Sequence, residues 1–505
     1  MAGIPWWERR AYLLFLLLLC LLPFALTSIP PLGDLPGHLG RYAVAVDGGQ
    51  TPELARYYGY RWKLTGNLGA DVLVLALAPL IGLQWSVKLV VMAIPLLFVS
   101  GLWTLSKAAT GRVSPASALA VPLAFAYPYI YGFANYCLAA ALALLAAAYW
   151  VELGRRGSLK KRALLFLPIA LIVYFAHVVG WGLLGLIAFA AEVARRREDG
   201  ASWIQAAARA ALAMWPLLLP LVHLFIWALG RESEAAFTGF WFSFKLAHIN
   251  ATFRDTYRLL DLATLVAVLF FIGLGTIARD LPFRGLALRL AAGLLLVTYV
   301  LMPFTLVGSA FADMRLLPVL MGVVVAALGV KNARGGAIIA GVTLAVALFR
   351  VGTLTVTSLQ WDAKIEERLA LIEGLPTGSR LFMVHGPNHC ANDWPLRRTI
   401  HLGGYHVWRN KGFVNSMWDL GSASPLEIRY EVPGDFGSDP SHLTRLPGCK
   451  PPYMPLFDET LADFPRESFD YLWMVDAQLP EAYVEEFELL RRNEASALYR
   501  IRPAS

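Results

Sequence analysis

The chain has 505 residues, 57% of them hydrophobic and 16% charged, with a net charge of +8 and a mean hydropathy of +0.54. Soluble domains average about 25% charged residues, so this composition excludes an ordinary soluble enzyme. The positive balance does not point to nucleic acid, because Lys and Arg recur between apolar runs instead of pooling in one patch.

Arg9 and Arg10 precede the apolar run "AYLLFLLLLCLLPFALTSI". A charged start before a Leu-rich stretch mimics a signal peptide, but no small-residue cleavage site follows and further spans do. It reads as a retained first helix over about 11–29. A first external loop, 30–84, comes next, and within it "ADVLVLALAPLIG" is too short to span and reads as a helix lying at the surface. Further spans are predicted from about 86, 114, 134, 162, 179, 205, 260, 287, 315 and 335. The basic clusters at Lys107 and Arg112, at Arg155 to Arg162, at Arg195 to Arg197, at Arg279 to Arg289 and at Lys331 and Arg334 fall on alternate turns. By the positive-inside rule those turns are cytoplasmic, giving about eleven spans with the N-terminus inside and the C-terminus outside. The same alternation gathers most acidic, His and Asn residues on the external face.

From about 357 the composition becomes ordinary. "WDAKIEERLALIEGL" reads as an amphipathic helix, "TGSRLFMVH", "RRTIHLGGYHVW", "FDYLWMVD" and "ALYRIR" as strands, and "PEAYVEEFELLRRN" as a second helix. The expected fold is thus a polytopic α-helical membrane module, 1–356, followed by a small external α/β domain, 357–505. The Pro- and Gly-rich tract between "GSASPLEIRY" and "KPPYMP" reads as a long irregular loop.

Cys20 and Cys137 lie in predicted spans, where a thiol behaves as a small hydrophobe. Cys390 and Cys449 fall in the external domain, either as a disulfide or as two separate buried thiols. "GWGLLG" matches the dinucleotide pattern, yet it follows no strand and opens no βαβ unit, so small-residue helix packing explains it better. "HGPNHCAND" brings His385, His389, Cys390 and Asp393 together, with His401 and His406 downstream. These residues are either a divalent-metal site or polar groups of strand ends and loops. In "GDLPGHLGRY", Pro36 marks a helix start and Asp34 stands at its cap. Asp34, His38 and Arg41 share one helical face there, and such groups at a membrane interface are costly unless used. Arg56, Arg61, Lys63 and Asn67 reach the same external face from the first loop, and His177, His248, Arg254, Asp313 and Arg315 from later turns.

A first span ending in an acidic residue on the first external loop, amphipathic helices in that loop, about eleven spans and a soluble domain after them resemble the GT-C superfamily of membrane glycosyltransferases. "YGFANYCLAAALALL", "FAHVVGWGLLGLIAF" and the Arg-Leu-Leu-Pro of "ADMRLLPVL" are similar to segments of bacterial members. Many members carry a paired acidic motif in the first loop, whereas this chain offers Asp34 alone. The resemblance implies a bacterial inner-membrane enzyme with a periplasmic C-terminal domain. It would transfer a sugar, with inversion, from a polyprenyl-phosphate donor to an envelope glycan, lipid or protein acceptor. Membrane lipid is the other partner, and no nucleic acid is expected. No cofactor is required by the sequence, although a divalent metal is compatible with it. In this frame Asp34 is the general base. Arg315, Arg61, Lys63 and Arg41 are candidates for the donor phosphate, and His38, His177 and His248 for orienting acceptor or phosphate. The competing class is a lipid or glycan transporter or flippase. The lack of charges in span centres and of an inverted repeat weighs against it.

Overall fold

The computed structural model describes residues 4–229, 237–306, 310–387, 393–421, 424–449 and 454–502. Its principal helices are α1 (Arg10–Ala25), α2 (Leu35–Asp47), α3 (Gly69–Ile81), α4 (Leu83–Thr110), α5 (Ala134–Arg155), α6 (Leu159–Ala176), α7 (Val178–Glu198), α8 (Arg258–Ile277), α9 (Leu286–Leu301), α10 (Leu316–Ala327), α11 (Ala333–Ile372) and α12 (Gly403–Asn410). Each predicted apolar segment contains a helix. Among the described residues five helices are long and apolar enough to cross a bilayer, α4, α5, α7, α8 and α11. A sixth crossing is made if Trp203–Ala213 and Trp215–Ile226, bent by 44°, act as one. Shorter apolar helices include α1, α3, α9, α10 and the broken segment Ser117–Tyr131. The chain is a multi-span membrane protein.

It divides into two compact units, the first comprising 1–25, 66–70 and 91–356, the second 26–65, 71–90 and 357–505. Unit 1 is helical. The first glycine of "GWGLLG" does pack closely, since a Cβ on Gly180 would come within 2.5 Å of Ala139 on α5. Gly182 and Gly185 meet nothing within 4 Å, so the close packing rests on one glycine. Asn135 at the start of α5 accepts from Ala70 N–H (2.5 Å) and donates to the Asn67 carbonyl (2.8 Å), pinning 67–70 to the helix.

Unit 2 is built on five strands, β1 (Arg380–His385), β2 (Phe413–Val414), β3 (Tyr471–Val475), β4 (Phe487–Arg492) and β5 (Ala497–Ile501), in the order β2-β1-β3-β5-β4. β1 is parallel to both β2 and β3, and the β3–β5 and β5–β4 pairs are antiparallel. β1 and β3 are buried almost throughout, as expected of central parallel strands.

Three local expectations need correction. "RRTIHLGGYHVW" is not a strand: its second half forms α12, because Tyr405, His406, Val407 and Asn410 bury one helical face. "PEAYVEEFELLRRN" is not a helix: Glu481–Glu486 is a 3-10 turn and the rest is β4, which pairs with β5 from Phe487↔Ile501 to Arg492↔Ala497. Sheet pairing there outweighs helix propensity. The amphipathic "WDAKIEERLALIEGL" is no separate helix but the last part of the 40-residue α11.

Within unit 2, α2 crosses α12 at glycines. A Cβ on Gly404 would collide with the Pro36 carbonyl oxygen, and one on Gly40 would lie 2.9 Å from the Met417 sulfur. A Cβ on Gly37 would lie 2.5 Å from the Trp418 ring. The "PGHLG" spacing therefore serves a close backbone approach.

Candidate active site

In unit 2, Asp34 occupies the N-cap position of α2 with Pro36 in the first turn, yet its side chain makes no capping hydrogen bond. Its backbone carbonyl accepts from His38 N–H (3.2 Å), and its Oδ1 lies 3.7 Å from His401 Nε2. The capping reading of this Asp is thereby replaced by one in which the carboxylate faces an imidazole. Trp418 packs between two histidines, with ring centroids 5.1 Å from His38 and 4.7 Å from His401. His442 follows at 5.3 Å from His401, and its Nδ1 is 3.7 Å from Asp439 Oδ1. Burial drives the imidazoles toward the neutral form. His401 is lowered to about 4, and His38 and His442 fall well below the usual value. Burial also raises the Asp439 carboxyl to about 7.

Arg41 does not share this environment. It forms a buried ion pair with Asp71, Nη2 to carboxylate 2.8–2.9 Å, with both side chains almost fully enclosed. Arg61 and Lys63 turn to Glu427 at 3.4 and 3.7 Å, and Lys63 also donates to the Gly421 carbonyl. Of the residues in "HGPNHCAND", His389 and Cys390 lie outside the described residues. Cys449 is engaged in a disulfide, and Cys20 and Cys137 are free and buried. His385 Nε2 meets Thr399 Oγ1 at 2.8 Å and Asp476 Oδ2 at 3.4 Å. Asp393 pairs with Arg397 at 3.5 Å. His406 Nε2 donates to the Ser379 carbonyl at 3.0 Å, which is a structural bond.

In unit 1, His177 sits in extended conformation between α6 and α7 and caps α7, its Nδ1 accepting from Val179 N–H at 3.1 Å. A neutral imidazole that accepts at Nδ1 carries its proton on Nε2, an assignment made from the hydrogen-bond network. That Nε2 faces Arg315 Nη1 at 3.1 Å. The Arg315 guanidinium stacks on Phe133 (4.2 Å) and donates through Nη2 to the Ala310 carbonyl (3.1 Å). Its own carbonyl accepts from the Tyr136 hydroxyl. Nearby in sequence, Asp313 bonds Lys245 at 2.9 Å and lies 3.2 Å from His248 Nδ1. Against the opposing effect of burial, hydrogen bonds from His248 and Lys245 hold that carboxyl below its ordinary value. His248 and Phe133 both lie against Phe311, at 6.3 and 6.4 Å.

The structure thus brings His177 and Arg315 together in unit 1, and Asp34, His38 and His401 together in unit 2. Sequence reasoning missed Asp71, Lys245, Asp439 and His442. The last two stand three apart in "DPSH", a spacing that carries a signal only if the loop is read for ligands.

No family model and no curated protein matches the chain. Among solved structures, ArnT from Cupriavidus metallidurans in the apo state superposes with a TM-score of 0.50 over 97% of this chain and 98% of that one, at 13% identity. The fold is ArnT-like. The same ArnT bound to undecaprenyl phosphate gives a TM-score of 0.49, again at 13% identity, over 97% of this chain and 96% of that one. At 13% identity the likeness shows a shared fold.

Proposed function

We propose that the chain is an inverting glycosyltransferase that moves a sugar from a polyprenyl-phosphate donor to an envelope glycan, lipid or protein acceptor, at the periplasmic face of a bacterial inner membrane. The observation that carries this reading is the buried pairing of the Arg315 guanidinium with the His177 imidazole, Nη1 to Nε2 3.1 Å. A guanidinium fork suits a phosphate in particular, and an imidazole beside it can add a second contact. A lipid phosphate suits such a pair at a membrane, because its isoprenoid tail stays in hydrocarbon while the charged head emerges at the interface. The ArnT-like fold supports the class by analogy of architecture.

In this reaction the acceptor hydroxyl oxygen attacks the anomeric carbon from the face opposite the phosphate. The carbon–oxygen bond to phosphate breaks, and its electron pair leaves on the lipid phosphate. Asp34 takes the acceptor proton. Within unit 1, Arg315 and His177 are the proposed ligands of a lipid phosphate. Arg61 and Lys63, which are more exposed, serve as further cations for an approaching anionic head group.

The test is release of polyprenyl phosphate from a panel of polyprenyl-phosphate sugars incubated with envelope extract. Asp34→Asn keeps the shape of the side chain, and no capping bond is lost, so the variant isolates the base. Its turnover should fall by about 10²–10⁴ with unchanged thermal stability. Equal turnover would remove Asp34 from the chemistry. A folded wild type that releases no lipid phosphate from any donor would overturn the transferase reading in favour of transport.

A further inference from the structure

His401, Asp439 and His442 converge in unit 2 from two separate stretches of chain. His401 stands just before α12, and Asp439 and His442 lie in the irregular loop that follows the Leu426–Ile428 strand. The His442 carbonyl accepts from His385 N–H at the end of β1 (2.8 Å), and the Thr444 hydroxyl donates to the His385 carbonyl (3.0 Å). The loop is therefore fastened at the carboxyl end of β1. A Cβ on Gly403, two residues after His401, would lie 2.7 Å from Val414, the last residue of β2. The cluster sits at the carboxyl ends of two parallel strands, where open α/β sheets bind their ligands.

One donor atom from each of the three residues lies within 4.8 Å of the other two. A tetrahedral ion with bonds of about 2.0–2.1 Å holds its ligand atoms about 3.4 Å apart. Side-chain rotations that draw each donor inward by less than about 1 Å close the set around such an ion.

A second observation points the same way. His442 is fully buried, and beyond a hydrogen bond from its ring to the Ile400 carbonyl it has a ring nitrogen with no partner among the described residues. His401 is also buried and bonds the Ser416 carbonyl. The nearest carboxylate, Asp439, is 3.7 Å from His442 Nδ1, too far for a direct hydrogen bond. A buried imidazole nitrogen left without a partner is costly, and a bound cation satisfies it.

We propose that His401, Asp439 and His442 form a site for a divalent transition-metal cation, with zinc the first to test. Two neutral imidazoles and one carboxylate are a borderline donor set that suits zinc and its neighbours and disfavours magnesium and calcium, which prefer all-oxygen shells. Asp34 stands beside the site, 3.7 Å from His401 Nε2, so the ion would act on the very carboxylate assigned as base. The site itself rests on its own geometry and does not depend on the transferase reading. It also differs from the grouping expected from sequence, of which only His401 remains.

The experiment uses the full chain, purified in detergent and stripped with a chelator. Zinc is then added, bound metal is counted by elemental mass spectrometry, and affinity is measured by competition with a chromogenic chelator. The expected result is one zinc per chain, with affinity reduced at least about a hundredfold in Asp439→Asn and in His442→Gln. Cobalt in place of zinc should give the visible absorption of a tetrahedral or five-coordinate ion. Asp439 is only partly buried, so its Asn variant keeps the test open if His442→Gln fails to fold, and His401→Gln provides a third arm. A wild type that binds no stoichiometric zinc overturns the proposal. So does zinc retained undiminished in folded Asp439→Asn.

Discussion

Two buried arginine sites of unit 1 are built in opposite ways. Glu192 on α7 is buried and receives Arg162 at 3.0 Å, Arg195 at 2.5 Å and Arg196 at 3.0 Å, while Arg162 stacks on Trp150 at 4.0 Å. Every cation there faces the same carboxylate. Arg315, equally buried, turns one nitrogen to the imidazole Nε2 of His177. The first arrangement neutralises its cations within the protein, and the second is the one proposed to hold a phosphate. Burial of charge is common to both, so it is the character of the partner that separates a structural ion cluster from a binding group.

The comparison predicts contrasting losses. Glu192→Ala strands a buried Arg162 among its neighbours, and should cost about 3–5 kcal/mol of stability while leaving turnover per folded molecule unchanged. Thermal unfolding in detergent, set beside specific activity, checks both halves. Arg315→Ala should do the reverse, lowering kcat/KM by about 10²–10³ with little change in the unfolding midpoint. If the two variants lose stability alike, the contrast between the clusters fails.

His406 in unit 2 extends the contrast to an imidazole whose Nε2 donates to a carbonyl. Burial lowers its pKa to about 4, from an ordinary value of about 6.5. The neutral form is thus favoured in the fold, and its stability is fully present above the unfolded pKa. As pH falls from about 6.5 toward 4 the unfolded chain takes up a proton that the folded one refuses, with a maximum loss of about 3 kcal/mol. His406→Gln keeps a donor and should flatten that part of the stability–pH curve. The smallest effect is expected from His177→Asn. Its side-chain oxygen still caps α7, whereas the Nε2 donor is gone, so activity should drop about tenfold without loss of stability.

Much of the architecture was legible because hydrocarbon-length apolar runs and basic turns leave a strong periodic signal. The α/β part was harder. "FELLRR" has helix-forming residues and became a strand only through pairing with "ALYRI", a non-local contact that no window along the chain contains. "GGYHVWRN" carries strand-like aromatic and branched residues, yet α2 crosses it at Gly404 and a helix results. At the candidate site, Asp34 and Arg315 were visible as polar groups in places where such groups are expensive. Arg41 looked equally promising, because its partner Asp71 stands 30 residues away and nothing local announces the pair. Asp439 and His442 were hidden in a loop whose composition signals irregularity and nothing more.

Where α2 meets α12, main chain touches main chain, and no side chain can be trimmed to admit a methyl on Gly404. Alanine, the mildest replacement for glycine in most helices, is excluded there. Any larger residue at Gly404 must displace the α2 main chain, and with it Asp34.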